Sequence, residues 1–163
     1  MLRLSKKTDY ALMAMKHLAL QSAAASPGSP TGGAASAREI AEHYDIPIEL
    51  LAKILQRLAR RGLLTSHQGT RGGYSLARPA TVISVADVIQ AVDGPLTVTA
   101  CSVDDQACGQ YSKCNVRDPL WRIKDRILTS LAACSLDEIA TDVPMTSPAP
   151  ELQPVTLSRR ARE

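Results

Sequence analysis

Ser36-Ala37-Arg38-Glu39-Ile40-Ala41-Glu42-His43-Tyr44-Asp45-Ile46-Pro47-Ile48-Glu49-Leu50-Leu51-Ala52-Lys53-Ile54-Leu55-Gln56-Arg57-Leu58-Ala59-Arg60-Arg61-Gly62 decides the fold. Ser36 and Glu39 form a capping box, in which the serine oxygen accepts from the third helical amide and the glutamate reaches back to the cap. They open a short helix that runs to about Tyr44. A tight turn at Asp45-Ile46 follows. Pro47 suits the first position of a second helix, where its missing amide proton costs nothing. Leu51, Ile54, Leu55 and Leu58 line one face of that helix, and Gly62 ends it. Glu49, Lys53, Gln56, Arg57, Arg60 and Arg61 lie off the apolar stripe. Two short helices joined by a three-residue turn, the second basic and polar outside, read as helix-turn-helix, with Glu49, Lys53, Gln56, Arg57 and Arg60 as candidate DNA contacts. The competing reading is an ordinary solvated helix face.

The chain downstream weighs for the first reading. Leu63–Ser66 and Tyr74–Leu76 have the character of two short strands, and His67-Gln68-Gly69-Thr70-Arg71-Gly72-Gly73 between them is a reversal rich in glycine. Arg71 stands at its tip. A helix-turn-helix followed directly by such a hairpin is a winged helix, with Arg71 placed to meet phosphate or enter a minor groove. A phosphate-binding Walker loop needs Gly-Lys followed by Ser or Thr, and that is absent. His17, His43 and His67 read as plain structural residues rather than ligands.

Upstream, Leu4, Ala11, Leu12, Met15, Leu18 and Ala19 recur at helical spacing over residues 5–21. Asp9 near the start fits the preference of an acid for a helix N-terminus. Lys6 and Lys7 are either a solvated face or phosphate contacts. Residues 22–35, dominated by Pro, Gly, Ser and Ala, read as a mobile loop.

Beyond the wing, Ser84-Val85-Ala86-Asp87 caps another helix, with Ile83 and Val88 placed as a hydrophobic staple, and Asp93-Gly94-Pro95 ends it. Residues 96–117 then carry Cys101, Cys108 and Cys114 in a polar segment. A cysteine kept for packing sits among apolar neighbours, and these do not. Three thiols held so close suggest thiolate ligands for one soft metal centre, either zinc or iron–sulfur. Zinc ligand pairs are usually closer together than these. No Cys-x-x-Cys redox motif supports a thiol oxidoreductase, and no other motif marks an enzyme.

Asp118-Pro119 opens a long helix with Leu120, Ile123, Ile127 and Leu131 in one stripe, which is either domain core or a dimer seam, the seam being favoured. Ser135-Leu136-Asp137-Glu138 caps a last short helix, and Cys134 between the two reads as a packed cysteine. From 141 onward repeated prolines break every pattern, and the segment to 163 reads as a disordered tail with an Arg cluster.

Composition agrees. With 163 residues, 45% apolar and no Phe, the core must be Leu, Ile, Val, Ala and Met. The formal charge of +3 permits a nucleic-acid partner without demanding one. No secretory signal is visible, and no apolar run is long enough to span a bilayer. A cytoplasmic protein with reduced thiols is expected. The expected fold is mainly α with a small β-hairpin wing: a winged helix-turn-helix over residues 1–95, the cysteine loop, and a C-terminal dimerisation helix with a short cap helix over 118–140.

Leu2-Arg3-Leu4-Ser5-Lys6-Lys7-Thr8-Asp9-Tyr10-Ala11, Gly72-Gly73-Tyr74-Ser75-Leu76-Ala77-Arg78-Pro79, Asp93-Gly94-Pro95-Leu96, and the three loop cysteines followed by Trp121-Arg122 carry a resemblance. The chain resembles the bacterial winged-helix iron–sulfur regulators that include the Isc regulator and NsrR. Within them it is most similar to regulators of SUF iron–sulfur assembly operons. The resemblance covers about residues 1–140. It implies a homodimer that represses or activates transcription by binding operator DNA. It also implies a 2Fe–2S or 4Fe–4S cluster on Cys101, Cys108 and Cys114. Two departures bear on the fourth ligand. Arg117 stands where the Isc regulator has a ligating His, and guanidinium cannot ligate. Asp9 matches the Asp that serves NsrR from the partner subunit, so the resemblance offers Asp9 for that role. Gln68 stands where relatives often carry an Arg in the wing, and Arg71 can substitute. A structural zinc site on the same fold and a nitric-oxide-responsive repressor are the alternative functions.

Overall fold

The computed structural model describes residues 4–25, 33–69, 72–97 and 109–141. Six helices and one two-stranded hairpin are found among them: α1 Lys6–Ala24, α2 Ala37–His43, α3 Ile48–Arg60, β1 Leu64–His67, β2 Gly73–Leu76, α4 Val85–Val92, α5 Arg117–Ala133 and α6 Leu136–Thr141. Single 3-10 turns at Ala80–Val82 and Tyr111–Lys113 precede α4 and α5. The fold is the expected one, mostly helical with a small antiparallel wing.

Caps set most boundaries. Ser5 caps α1 by accepting from the Thr8 amide. Ser36/Glu39 and Ser84/Asp87 form complete capping boxes, and Ser135 with Glu138 does the same at α6. Ile83 and Val88 are both fully buried, as a staple requires. The turn between α2 and α3 places Asp45 at φ 53, a left-handed position that Asp tolerates better than most residues. Gly62 at φ +73 closes α3.

Several boundaries differ from expectation: β1 and β2 are Leu64–His67 and Gly73–Leu76, and α5 begins at Arg117, each differing by one residue. The helix α1 extends to Ala24, not 21, because Ala23 and Ala24 carry the highest intrinsic helix preference and outweigh the prolines beyond. Pro47 is the N-cap of α3 rather than its first helical residue, since its φ of −57 and ψ of 119 leave the helical region. Ala35, expected in a mobile loop, is buried and pairs with Tyr74. Residues 26–32 of that loop, and the tail from 142 to 163, lie outside the described residues.

The core is aliphatic. Ala11, Met15 and Leu18 of α1 meet Ile40 of α2, Leu51, Leu55 and Leu58 of α3, Val88 of α4, and Leu136 of α6. The segment before α4 is stitched to α6, with Leu136 N–H donating to the Ile83 carbonyl at 2.8 Å and Val85 N–H to the Cys134 carbonyl at 3.0 Å. The helix α5 is different: none of its 17 residues is buried. Lys124, Leu128 and Leu131 line a largely apolar cavity of about 190 Å³ against Ile89, Gln90 and Pro95. Leu120 and Ile127 are half-buried, and Ile123 is 46% exposed. Leu131, expected in the seam, therefore contributes to the wall facing α4.

Candidate functional site

The polar face of α3 is built as the pattern requires. Glu49, Lys53, Gln56, Arg57 and Arg60 are all exposed, while Leu51, Ile54, Leu55 and Leu58 anchor the opposite side. Glu49, Lys53, Gln56 and Arg60 follow one another at four, three and four residues, which puts them on a single stripe. Arg57 sits to one side of that stripe. Its Nε–H donates to the Ala91 carbonyl near the end of α4, at 3.0 Å.

The wing follows directly. Its strands pair Leu64 with Leu76 through His67 with Gly73. His67 Nε2 and Ser75 Oγ are 2.8 Å apart, a bond within the hairpin that agrees with a structural role for this histidine. Gln68 at the end of β1 is exposed. Arg71 lies outside the described residues.

Lys6, Lys7 and Asp9 are exposed in the first turn of α1. That helix end is clasped by Asp93, the C-cap of α4. Ser5 N–H donates to Asp93 Oδ2 at 3.1 Å and the Ser5 hydroxyl to Oδ1 at 2.6 Å. Burial pushes the Asp93 carboxyl up. The Ser5 hydroxyl and amide, the Thr8 side chain and the Arg57 guanidinium together outweigh that and hold it below the usual carboxylate value. Sequence reasoning placed Asp93 as a helix stop and missed this contact. Ser5 is 88 positions away, and no local signal marks the pair.

Cys101 and Cys108 lie outside the described residues. Cys114 is a free thiol, half-buried, at the C-terminus of the 3-10 turn that precedes α5. Among the described residues no three His, Cys, Asp or Glu side chains gather as a metal site. Arg117, one turn beyond Cys114, donates to Asp118 at 2.7 Å, and its guanidinium carbon lies 5.9 Å from the Trp121 ring centroid. That hydrogen bond and the guanidinium charge hold the Asp118 carboxyl low. Cys134 is half-buried at the α5–α6 junction, with its sulfur near the Ser135 carbonyl.

A capped helix pair with a polar, partly basic outer stripe, followed by a glycine-rich hairpin, builds a winged helix, the fold of a class of DNA-binding transcriptional regulators. The chain belongs to the Rrf2 family, described as iron-dependent transcriptional regulators, which matches residues 4–142. It is 34% identical over 142 residues to the HTH-type transcriptional regulator IscR of Photorhabdus laumondii, covering 86% of this chain and 80% of that one. It is 43% identical over 95 residues to an HTH-type transcriptional regulator of Mycobacterium tuberculosis, and this match spans 58% of the chain and about half, 54%, of that relative. Among solved structures, T. potens IscR superimposes with a TM-score of 0.62 at 26% identity, covering 85% of each chain. The relatives are transcriptional regulators, not enzymes. Among the described residues no helix is long and apolar enough to cross a membrane.

Proposed function

We propose that the chain is a homodimeric regulator that senses iron–sulfur status or redox state through a cluster on Cys101, Cys108 and Cys114, and that it controls genes of the SUF iron–sulfur assembly type. The observation that carries this is the spacing of three thiols within residues 101–114, a polar segment of an Rrf2-family chain. The donor set fits the group. Thiolates are the ligands an iron–sulfur cluster takes, and Cys114 is a thiol without a disulfide, held at the entry to α5. A carboxylate completes the set in this reading, the partner subunit's Asp9. When bound, the cluster would supply a centre that iron limitation, oxygen or nitric oxide can dismantle.

The protein's own residues do the reading of DNA. Lys6, Lys7, Lys53 and Arg60, with Arg71 of the wing, supply positive charge for phosphate, while Glu49, Gln56 and Gln68 are the polar groups able to meet base edges. Dimerisation in this reading uses the face of α5 that is left uncovered among the described residues. Two recognition helices held at a fixed distance match an operator with two half-sites.

The test is a visible spectrum of anaerobically purified protein with iron and sulfide counts. A 2Fe–2S or 4Fe–4S chromophore with matching iron and sulfide is expected. Colourless protein carrying zinc would replace this reading with a structural zinc site on the same fold.

A further inference from the structure

We infer that Asp93 is a positioning residue for DNA binding, setting the recognition helix α3 against the N-terminus of α1, and that Arg57 serves DNA binding through this junction rather than as a phosphate contact. The inference rests on the DNA-binding reading above but not on the cluster.

Three helix ends meet here. The N-terminus of α1 is held by two donors from Ser5 to one carboxylate. Ser5 is at the same time the cap of α1, so its side chain links Asp93 to the Thr8 amide. The recognition helix is held to the same end of α4 by the Arg57–Ala91 bond at 3.0 Å. The guanidinium also acts on the Asp93 charge. With Nε spent on a backbone carbonyl, Arg57 is the basic residue of α3 tied into the protein, whereas Lys53 and Arg60 have no hydrogen bond or ion pair among the described residues.

The geometry matters because phosphate contacts fix register only if they keep a fixed relation to the helix that reads bases. Lys6 and Lys7 project from the clasped end of α1, and the polar stripe projects from α3. The apolar anchors of α3 keep it folded without Asp93, yet they leave its orientation to α1 less constrained. The junction is also close in sequence to the cysteines: Gly94 turns at φ +89, and Cys101 lies eight positions after Asp93.

The experiment uses the full-length protein and a duplex enriched by the parent from a random pool. Affinity per active molecule is measured over a salt series for Asp93→Ala, Asp93→Asn, Arg57→Ala, Arg57→Gln and the double alanine variant, beside thermal melts. Asp93→Ala and Arg57→Ala should each weaken binding about tenfold. The salt slope should stay at the parental value, because no phosphate contact is removed. The double variant should be no worse than either single one. Asp93→Asn keeps an acceptor for Ser5, and Arg57→Gln a donor for Ala91, so both should recover part of the loss. Unchanged affinity per active molecule in Asp93→Ala, whatever its melting temperature, overturns the inference and leaves Asp93 a stability contact. A fall of about one in the salt slope of Arg57→Ala makes Arg57 a phosphate ligand and equally overturns it. A parent that enriches no duplex overturns the DNA-binding reading itself, a distinct result.

Discussion

Tyr74 and Ala35 exchange both backbone hydrogen bonds, Tyr74 N–H to the Ala35 carbonyl at 2.8 Å and Ala35 N–H to the Tyr74 carbonyl at 3.0 Å. This bridge fastens the wing to the segment that enters α2, so hairpin and helix-turn-helix share one frame. Gly73 permits it: a Cβ there would lie 2.5 Å from the Ala35 carbonyl oxygen. Gly73→Ala must push the two segments apart, at a cost of about 1–3 kcal/mol, typical of overpacking. Gly109, with nothing within 4 Å of a built Cβ and no left-handed φ, is the control. Chemical denaturation should show a clear loss for Gly73→Ala and almost none for Gly109→Ala, and equal midpoints would refute this role for Gly73.

Lys53 and Arg60 occupy the exposed stripe of α3 with no ion pair among the described residues. If they meet phosphates, Lys53→Ala and Arg60→Ala should each lower the slope of log affinity against log salt by about one. The same result is expected for Arg71→Ala in the wing. Three variants that reproduce the parental salt series would mean that DNA docks elsewhere.

None of the residues of α5 is buried, and the proposed dimer would cover its exposed face. Ile123 is 46% exposed, and Ile127 lies one turn along the same face. Ile127→Glu would place an unpaired charge in a seam, and breaking a buried contact in that way costs several kcal/mol. Light scattering should find a dimer for the parent and a monomer for the variant at micromolar concentration. A monomeric parent would contradict the seam.

The four cysteines should separate cleanly. Cys101→Ala, Cys108→Ala and Cys114→Ala should each yield colourless protein under anaerobic purification. Cys134→Ala should keep its colour, because this residue holds the α5–α6 junction through its backbone carbonyl. Asp9→Ala should alter the spectrum or shorten its lifetime in air, and Arg117→Ala should not. If all variants are equally coloured, the ligand assignment fails. Holo and apo protein compared on one duplex at one salt concentration should differ in affinity, and equal values would show that the cluster does not switch binding.

His17 gives a pH dependence whose sign is fixed by its surroundings. Burial lowers its pKa from the ordinary 6.5, the neighbouring His43 adds to this, and Glu39 opposes both. The two rings are 5.2 Å apart, with Tyr44 beside them. Gln21 Nε2 donates to His17 Nε2 at 3.1 Å and to Glu39 Oε1 at 3.0 Å. The imidazole is thus an acceptor, which only the neutral form can be. The unfolded chain takes up a proton before the folded one, so stability is full above 6.5 and falls as pH drops through that value. The Asp93 clasp adds a second window: its depressed pKa contributes stability above 3.8 that is lost as pH falls lower. Melts at pH 7.5 and 5.5 should show a drop that His17→Asn reduces, and a flat profile for the parent would contradict the assignment.

What the amino-acid sequence determined by itself was local. Capping boxes at Ser36 and Ser84, the glycines of the wing, the apolar stripe of α3 and the clustered cysteines are each written within a few residues, so their physics is readable without a fold. The tertiary structure decided the rest. Chain proximity gives no hint that Ser5 meets Asp93, that Arg57 turns to the Ala91 carbonyl, or that Leu131 joins Leu128 against α4. A periodic pattern identifies an apolar or basic face but not what lies opposite it. An arginine on a recognition helix looks alike in sequence whether or not it also bonds the next helix, and only the packing of α4 beside α3 reveals the Arg57–Ala91 bond.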